Sequence, residues 1–529
     1  MAEETILEST ERTSGRDALR KNVQAAIALS GAVKSTLGPK GLDKLLVDDE
    51  GRNLVTNDGV TVLESAKVEH PAARMIINAS SVQDRVARDG TTSTVIFCSE
   101  MLRNAWELVR QGVHPATIAR GFAQANNEAI KIIDSIGITA SKEQIIEAVK
   151  TSLSGKLNSK IIEHIAMMAI TSAESIFDDR RADPTRVKII QQNGGSALDS
   201  QLIAGLAIAK NKIHSEMPDR FGPGKILLID GGIERRKPNL DAKLKITSTG
   251  MLDQFRESES KTLRKQIDNI IEIGCDILVL NEGVDEEVRQ ILADTGILAY
   301  RRVERSDLEL LASSCGAKIV RNVGHATKED LGDFKYTREE LRGGVNYWIL
   351  GAENGGATLI VRGSTTEILD EIQRCFDDAL GVACQLLEKP ILLPGAGATQ
   401  VALARKMRRF AEGVPGREQL AIEAWADGLE SIPRTLAANA GYDPIDSLLV
   451  LTASQTKHGD NMGLDLISGK PSCVIERGVL EPATITRQAI SGATDAAISI
   501  LRIDDVLWAQ IDAEVPDEVQ ERLSGMGSE

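Results

Sequence analysis

Three short segments of this 529-residue chain combine glycines, hydroxyl groups and carboxylates in the way that a nucleotide triphosphate site requires. They are TLGPKG at 36–41, TNDG at 56–59 and DGTTS at 89–93. Glycine lets backbone N–H groups approach phosphate oxygens closely, hydroxyls donate to those oxygens, and carboxylates hold a metal or orient a water. Each segment alone is a weak signal, but together they predict an ATP site near the N-terminus.

Each segment also has an ordinary structural interpretation. For residues 38–41 alone, a turn that ends a helix is the more common explanation. For residues 89–92 alone, an N-cap formed by Asp89 or a threonine explains the pattern equally well. A Walker-type P-loop is excluded, because no Gly-Lys pair is followed by serine or threonine in the required spacing. A dinucleotide fold has no support either, since no GxGxxG follows a strand near the start.

Composition narrows the class of protein. The length exceeds the roughly 250 to 300 residues at which single cores stop growing, so several domains are expected. A net charge of −15 and an aromatic content of 3% argue against a dominant nucleic-acid role. No run of about 20 apolar residues could span a bilayer, and the acidic, polar start carries no secretory signal, so the prediction is a cytoplasmic protein without a membrane partner. The six cysteines are scattered, which favours small core residues over zinc ligands.

The hydrophobic pattern divides the chain into helical ends and an α/β middle. Helical spacing dominates the first ~135 and the last ~140 residues, and residues 42–65 predict short strands around turns at 49–51 and 57–59. Residues 211–360 alternate short apolar runs with helical runs, which is typical of a partly parallel sheet. We interpret the charged segment 233–274 mainly as a solvated amphipathic helix, although Met251, Leu252 and Phe255 could form a partner contact. Two similar ends around a different middle indicate one domain inserted into another.

Seven motifs in order resemble the chaperonins over nearly the whole chain. They are TLGPKG, TNDGVTVL, DGTTS, CFDDAL (375–380), IPRTLAANAG (432–441), GVLEP (478–482) and ILRIDD (500–505). GPKGLDKLLVD, GAKIV and RRVERSDLELLA are similar to the group II branch, the archaeal thermosome type related to the eukaryotic cytosolic chaperonin, or a close group III relative. The resemblance implies a mostly α-helical equatorial domain (1–142 and 393–529), a mixed α/β hinge domain (143–209 and 361–392) and an α/β apical domain with a helical lid protrusion (210–360).

The resemblance also implies a role for individual residues. The phosphates would be held by two sets of residues: Thr36, Leu37, Gly38, Pro39 and Gly41 in the first, and Gly90, Thr91, Thr92 and Ser93 in the second. Asp89 matches the residue that binds Mg²⁺, and Asp58 and Asp378 match the carboxylates that position the attacking water. Gly395, Ala396 and Gly397 match a turn near the ribose, Glu481 matches the residue that reads the sugar, and Lys156 looks like the sensor of the γ-phosphate.

The function that the resemblance implies is ATP-dependent folding of unfolded proteins inside a homo- or hetero-oligomeric double ring. The sequence departs from the family pattern at three places, and two of them, Arg88 and Ala396, leave an alternative, a ring-forming binding scaffold with little ATPase. Arg88 and Ala396 stand where the family usually has glycine, and the tail LSGMGSE keeps only a trace of the Gly-Met repeats. We expect Arg88 to point to solvent, and we expect the backbone at Ala396 to avoid conformations that favour glycine.

Overall fold

The computed structural model describes residues 10–47, 51, 53–178, 180–218, 220–234, 249–352 and 355–509. Its contacts divide the chain into two compact units, one formed by Met1–Gly137 with Leu393–Glu529 and the other by Ile138–Leu392. The second unit is therefore inserted into the sequence of the first. The further division of residues 143–392 into hinge and apical domains stays a prediction.

The first unit is mainly helical, as the spacing of its apolar residues predicts. Its helices are Gly15–Val33, Gly59–Ser65, Pro71–Ala87, Thr91–Arg110, Pro115–Ile136, Ala398–Glu412, Glu418–Leu429, Ser431–Asn439, Pro444–His458 and Ala483–Leu501. Eight of them share one large apolar core, whereas Ser431–Asn439 and Pro444–His458 bury apolar residues in two smaller clusters. At the centre of the large core Phe97 packs edge-on against Trp425 with ring centroids 5.2 Å apart, and the indole N–H of Trp425 donates to Thr494 at 3.0 Å. This bond satisfies the only polar atom of a fully buried indole.

This helical unit also contains short antiparallel strand pairs. They are Lys44–Val47 with Asn53–Thr56, Met462–Asp465 with Lys470–Cys473, and Thr10–Ser14 with Asp505–Ala509. The predicted hairpin is confirmed for its two strands, while most of its turn at 49–51 lies outside the described residues. The expectation of a further strand after residue 59 is wrong, because the chain enters the helix Gly59–Ser65 there. Asp58 caps that helix, and a capped helix start overrides the β preference of two valines.

The second unit contains the expected partly parallel sheet. Gly224–Ile229 pairs in parallel with Ile277–Leu280, which pairs in parallel with Leu298–Tyr300. The sheet also contains Leu206–Ile208, Arg220–Phe221, Ile319–Val320, Gly332–Arg342 and Val345–Ala352. A second sheet joins Val187–Asn193, Ala357–Gly363 and Gln201–Ala204. The helices of this unit are Lys142–Ser152, Ser159–Ile176, Thr249–Ile273, Glu286–Asp294, Arg305–Cys315 and Thr366–Glu388.

The charged segment after the first parallel strand contributes more to the core than expected. Its helix, Thr249–Ile273, buries Leu263, Ile267 and Ile270 in the apolar core of the large sheet. The interpretation of the segment as mainly solvated is therefore wrong for the C-terminal half of this helix. Residues 235–248 lie outside the described residues, and so do the side chains of the apolar cluster around Met251.

The cysteines follow the sequence-based interpretation with one exception. Cys98, Cys275, Cys315, Cys375 and Cys384 are buried, whereas Cys473 is half-buried. Burial raises the pKa of Cys375 to about 12, so this thiol stays protonated at neutral pH. Among the helices of the described residues, none has the length and apolar character needed to cross a membrane.

Candidate nucleotide site

The DGTTS segment forms the start of a long buried helix, Thr91–Arg110. Gly90 occupies the N-cap with φ of 79°, and within the described residues no side chain caps the amides that follow. The carboxylate of Asp89 accepts a hydrogen bond from the N–H of Gly90 at 2.6 Å. The ordinary explanation of an Asp or Thr N-cap is therefore not realised. Uncapped amides at the positive end of a helix dipole favour an anion such as phosphate.

The TNDG turn packs directly against this helix start. A Cβ at Gly59 would collide with the hydroxyl of Thr92, so only glycine allows the two segments to approach so closely. Asp58, immediately before it, accepts hydrogen bonds from the N–H of Thr61 at 2.9 Å and from its hydroxyl at 2.6 Å. Asp58 is therefore the N-cap of the next helix as well as a candidate for positioning water. The structure thus brings together two segments that are 30 residues apart in sequence.

The GVLEP segment reaches the same region through Glu481. Its carboxylate accepts hydrogen bonds from the hydroxyl of Thr486 at 2.8 Å and from the amide of Gln400 at 3.5 Å. Burial raises the pKa of Glu481 to about 7, the neighbouring charge of Asp89 adds to this rise, and the two hydrogen bonds oppose it. Because the charge of Asp89 affects the pKa of Glu481, Glu481 lies close to this predicted metal ligand.

We expect this raised pKa to make stability depend on pH. Between pH 4.5 and about 7 the folded chain keeps a proton on Glu481 that the unfolded chain has lost. The contribution of Glu481 to the free energy of unfolding is therefore fully present below pH 4.5 and is lost as the pH rises through 7. The free energy of unfolding of wild type minus that of Glu481→Gln should therefore fall by about 1 to 2 kcal/mol over this range, after allowance for the partial exposure of the side chain. Thermal unfolding of both proteins without metal or nucleotide tests this, and a pH-independent difference would contradict it.

The glycine turn at 395–397 is tied to the same segment. The N–H of Gly395 donates to the carbonyl of Val479 at 2.9 Å, and Gly397 is the N-cap of the helix Ala398–Glu412. Ala396 between them has φ of 53°. The expectation that its backbone avoids conformations favouring glycine is wrong, because this is the left-handed region, which an L-residue occupies at a cost of about 1 to 2 kcal/mol.

Arg88, which also stands where the family usually has glycine, has the same left-handed backbone as Ala396. It ends the helix Pro71–Ala87 with φ of 57° and is half-buried. Both departures therefore keep the left-handed backbone that glycine would adopt without strain. The direction of the Arg88 side chain toward solvent stays a prediction.

Arg88→Gly should stabilise the protein with little effect on metal use. Glycine relieves the left-handed strain but gains entropy in the unfolded chain, so we expect a net gain of about 0.5 to 1 kcal/mol in the free energy of unfolding. The Mg²⁺ concentration for half-maximal ATPase should change by less than about threefold, and Ala396→Gly serves as the matched control for relief of strain. A large gain of ATPase in Arg88→Gly would show instead that the arginine suppresses turnover.

The TLGPKG loop follows a helix but is more than a helix end. Gly15–Val33 passes into a short 3₁₀ turn, Lys34–Thr36, before the loop begins. Thr36 is buried and donates its hydroxyl to the carbonyl of Val33 at 2.9 Å, while the N–H of Gly41 donates to the carbonyl of Gly38 at 2.8 Å. Pro39, between them, is exposed. Residues 38–41 therefore form a hydrogen-bonded turn separate from the helix. The hydroxyl of Thr36 is bonded to the backbone.

The two remaining candidates, Lys156 and Asp378, lie in the second unit. The ammonium of Lys156 contacts the carboxylate of Asp378 at 2.6 Å, and both side chains are about one-fifth exposed, at 18% and 19%. They are 222 residues apart in sequence, Lys156 in a turn after the helix Lys142–Ser152 and Asp378 within Thr366–Glu388. Burial from most of the solvent makes this pair stronger than an ordinary surface ion pair.

Sequence reasoning missed several polar groups around the first-unit site. Gln83 donates to the carbonyl of Asp89 at 2.8 Å and so holds the DGTTS turn. The amide oxygen of Gln400 and the hydroxyl of Ser35 are buried without a hydrogen-bond partner among the described residues. The unsatisfied oxygen of Gln400, whose amide nitrogen lies 3.5 Å from Glu481, fits a polar ligand at this position. Ser35 and Gln400 carry a positional hint, since Ser35 directly precedes the TLGPKG motif and Gln400 follows the glycine turn by three residues.

Comparison with known proteins decides the family. The model of the TCP-1/cpn60 chaperonin family matches residues 29–510. The chain belongs to this chaperonin family. It is 40% identical to a thermosome subunit of Pyrococcus horikoshii over 95% of this chain and 93% of that protein. It is also 40% identical to thermosome subunit alpha of Archaeoglobus fulgidus (96% and 94%) and 38% identical to thermosome subunit beta of Thermoplasma acidophilum (95% and 94%). The resemblance of this chaperonin to the group II branch is thereby confirmed.

Proposed function

We propose that this chaperonin subunit binds and hydrolyses ATP with Mg²⁺ and uses the cycle to enclose and fold unfolded proteins in a double ring. The observation that carries the proposal is the packing of the Asp58–Gly59 turn against the uncapped start of the helix Thr91–Arg110, with Asp89 between the two segments in sequence. This arrangement combines anion-binding amides with carboxylates.

In this proposal the first unit supplies the binding groups. The amides of 90–93 and the loop 36–41 hold the phosphates, Asp89 holds the metal, and Glu481 with the turn 395–397 contacts the sugar. Bound Mg²⁺ would neutralise charge on the phosphate oxygens. The neutral form of Glu481 near pH 7 can donate a hydrogen bond to a sugar hydroxyl, while its ionised form can only accept one.

We assign the orientation of the attacking water to two carboxylates. Asp58 and Asp378 would orient the attacking water, and Lys156 would respond to the terminal phosphate. Lys156 and Asp378 pair with each other in the second unit, so the two proposed roles belong to one ion pair. A water-orienting group that reaches the nucleotide only on domain closure would couple turnover to conformation.

The alternative function is a ring-forming scaffold with little ATPase. The observation that favours it is the presence of Arg88 and Ala396, both with left-handed backbone, at positions where the family usually has glycine. Release of inorganic phosphate by the purified protein with Mg²⁺ and ATP separates the two. Turnover above that of an Asp378→Asn control supports the chaperone, and a wild-type rate no higher than that of a blank without protein supports the scaffold.

Removal of the charged insertion should separate enclosure from hydrolysis. We expect deletion of residues 236–258, replaced by a short Gly-Ser linker, to leave ring assembly and ATPase intact and to abolish protection of an enclosed client. The deletion stops before the buried Leu263, and a longer deletion through that residue is the control that should destabilise the unit. Protease digestion with ATP and a phosphate-mimicking metal fluoride measures protection, and equal protection of both proteins would reject the lid.

A further inference from the structure

The motif IPRTLAANAG forms a helix, Ser431–Asn439, to which the nucleotide site described above assigns no role. Pro433, Leu436 and Asn439 are spaced by three residues along it, so they share one face of the helix. Each of the three contacts a different part of the two glycine loops of the first unit. The face made by these three residues is called the platform face below.

Asn439 holds the loop 36–41, called the phosphate loop below, through its side-chain amide. The amide nitrogen donates to the carbonyl of Lys34 at 2.9 Å and to the carbonyl of Leu37 at 2.8 Å. One side chain thus joins both ends of the turn that precedes Gly38, from 402 residues further along the chain. A single group that satisfies two backbone carbonyls fixes the spacing between them.

Leu436 lies directly under the next residue of the loop. Gly38 has φ of 83°, and a Cβ there would collide with Cδ2 of Leu436. Leu436 also forms a buried cluster with Ile432 and with Ile96 of the helix Thr91–Arg110, and Leu37 packs at the edge of this cluster. Leu436 therefore limits how closely the loop can approach the core at Gly38.

Pro433 contacts the other glycine loop. A Cβ at Gly397 would lie 2.7 Å from Cβ of Pro433, so the turn at 395–397 rests on the proline ring. Proline in a helix has few alternative conformations, which makes it a rigid support. The same short helix thereby contacts the phosphate loop, the turn at 395–397 and the helix that begins at Thr91.

We propose that the platform face sets the distance between the phosphate loop and the 395–397 turn, with Asn439 as the positioning residue for the phosphate loop. The proposal deepens the nucleotide site and rests on the proposed function. Preorganised loops bind without the cost of ordering them, so loss of the Asn439 bonds should weaken nucleotide affinity more than turnover at saturation.

Asn439→Asp tests the proposal with almost no change of volume. The carboxylate removes both donors and faces two carbonyl oxygens, so the loop should detach. We expect ADP with Mg²⁺, measured by calorimetry on the assembled protein, to bind at least ten times more weakly, while kcat at saturating ATP stays within about threefold. In the protein without nucleotide, amide hydrogen exchange of residues 35–42 should become at least tenfold faster. Asn439→Ala, which adds no charge, is the second variant if the first fails to assemble.

Asn104 offers a matched control in the same unit. Its amide donates to the carbonyl of Ala424 at 3.0 Å and joins two helices outside the loops. Asn104→Asp should lower stability comparably and leave ADP affinity within twofold. An assembled Asn439 variant with wild-type affinity and wild-type exchange of the loop would overturn the platform while leaving the proposed function in place. A wild-type protein that binds no ADP would overturn both.

Discussion

Asp378→Asn is expected to abolish ATP turnover, with kcat reduced at least about 100-fold and nucleotide affinity within about threefold of wild type. The variant keeps the size of the side chain but removes the charge that orients and polarises a water. Such a group acts on the transition state more than on bound substrate, and general-base contributions are typically 10²- to 10⁴-fold. Steady-state phosphate release and ADP titration measure the two quantities separately.

The neighbouring Asp377 supplies the control for this experiment. It lies on the same helix, so Asp377→Asn makes the same chemical change one residue away. Asp378→Asn also leaves Lys156 without its carboxylate partner, so the ring assembly of both variants is compared before kinetics. Normal turnover in Asp378→Asn, or equal losses in both variants, would count against the assignment.

Asp89→Asn is expected to weaken the binding of magnesium that assists nucleotide binding. Mg²⁺ prefers charged oxygen ligands in near-octahedral geometry, so a neutral amide should raise the Mg²⁺ concentration for half-maximal binding by about 100-fold or more. ATP affinity measured with excess chelator should change by less than threefold. Asp84→Asn, one turn earlier on the preceding helix, is the control and should leave magnesium use unchanged.

The same variant has a second readout that requires no metal. The charge of Asp89 contributes to the raised pKa of Glu481, so Asp89→Asn should lower that pKa from about 7. The pH dependence of unfolding should shift to lower pH accordingly. An unchanged profile together with unchanged magnesium dependence would place the metal site elsewhere.

The fold was predictable wherever the local pattern and the packing agree. Continuous apolar runs within GKILLID and CDILVL indicate buried parallel strands, and the structure confirms them. The strand expected after the turn at 57–59 is a helix instead, because the hydrogen bonds from Thr61 to Asp58 cap its start. The burial of Leu263 and Ile267 was missed because charge density on the exposed faces of their helix hides the apolar face in a linear reading.

The candidate site was predictable as motifs but not as geometry. The order of the motifs indicates the phosphate loop and the carboxylates, whereas no local pattern reveals that Lys156 contacts Asp378 or that Asn439 holds Leu37. Such contacts join residues hundreds of positions apart and depend on the folded chain. The left-handed backbone at Arg88 was equally hidden, because arginine gives no signal for positive φ.

Refolding of a chemically unfolded monomeric enzyme by the purified protein is the most direct test of the central claim. We predict recovery of client activity with Mg²⁺ and ATP, and no recovery with a non-hydrolysable ATP analogue or with Asp378→Asn. Recovery that is the same with ATP, with the analogue and without nucleotide would contradict an ATP-driven folding chamber.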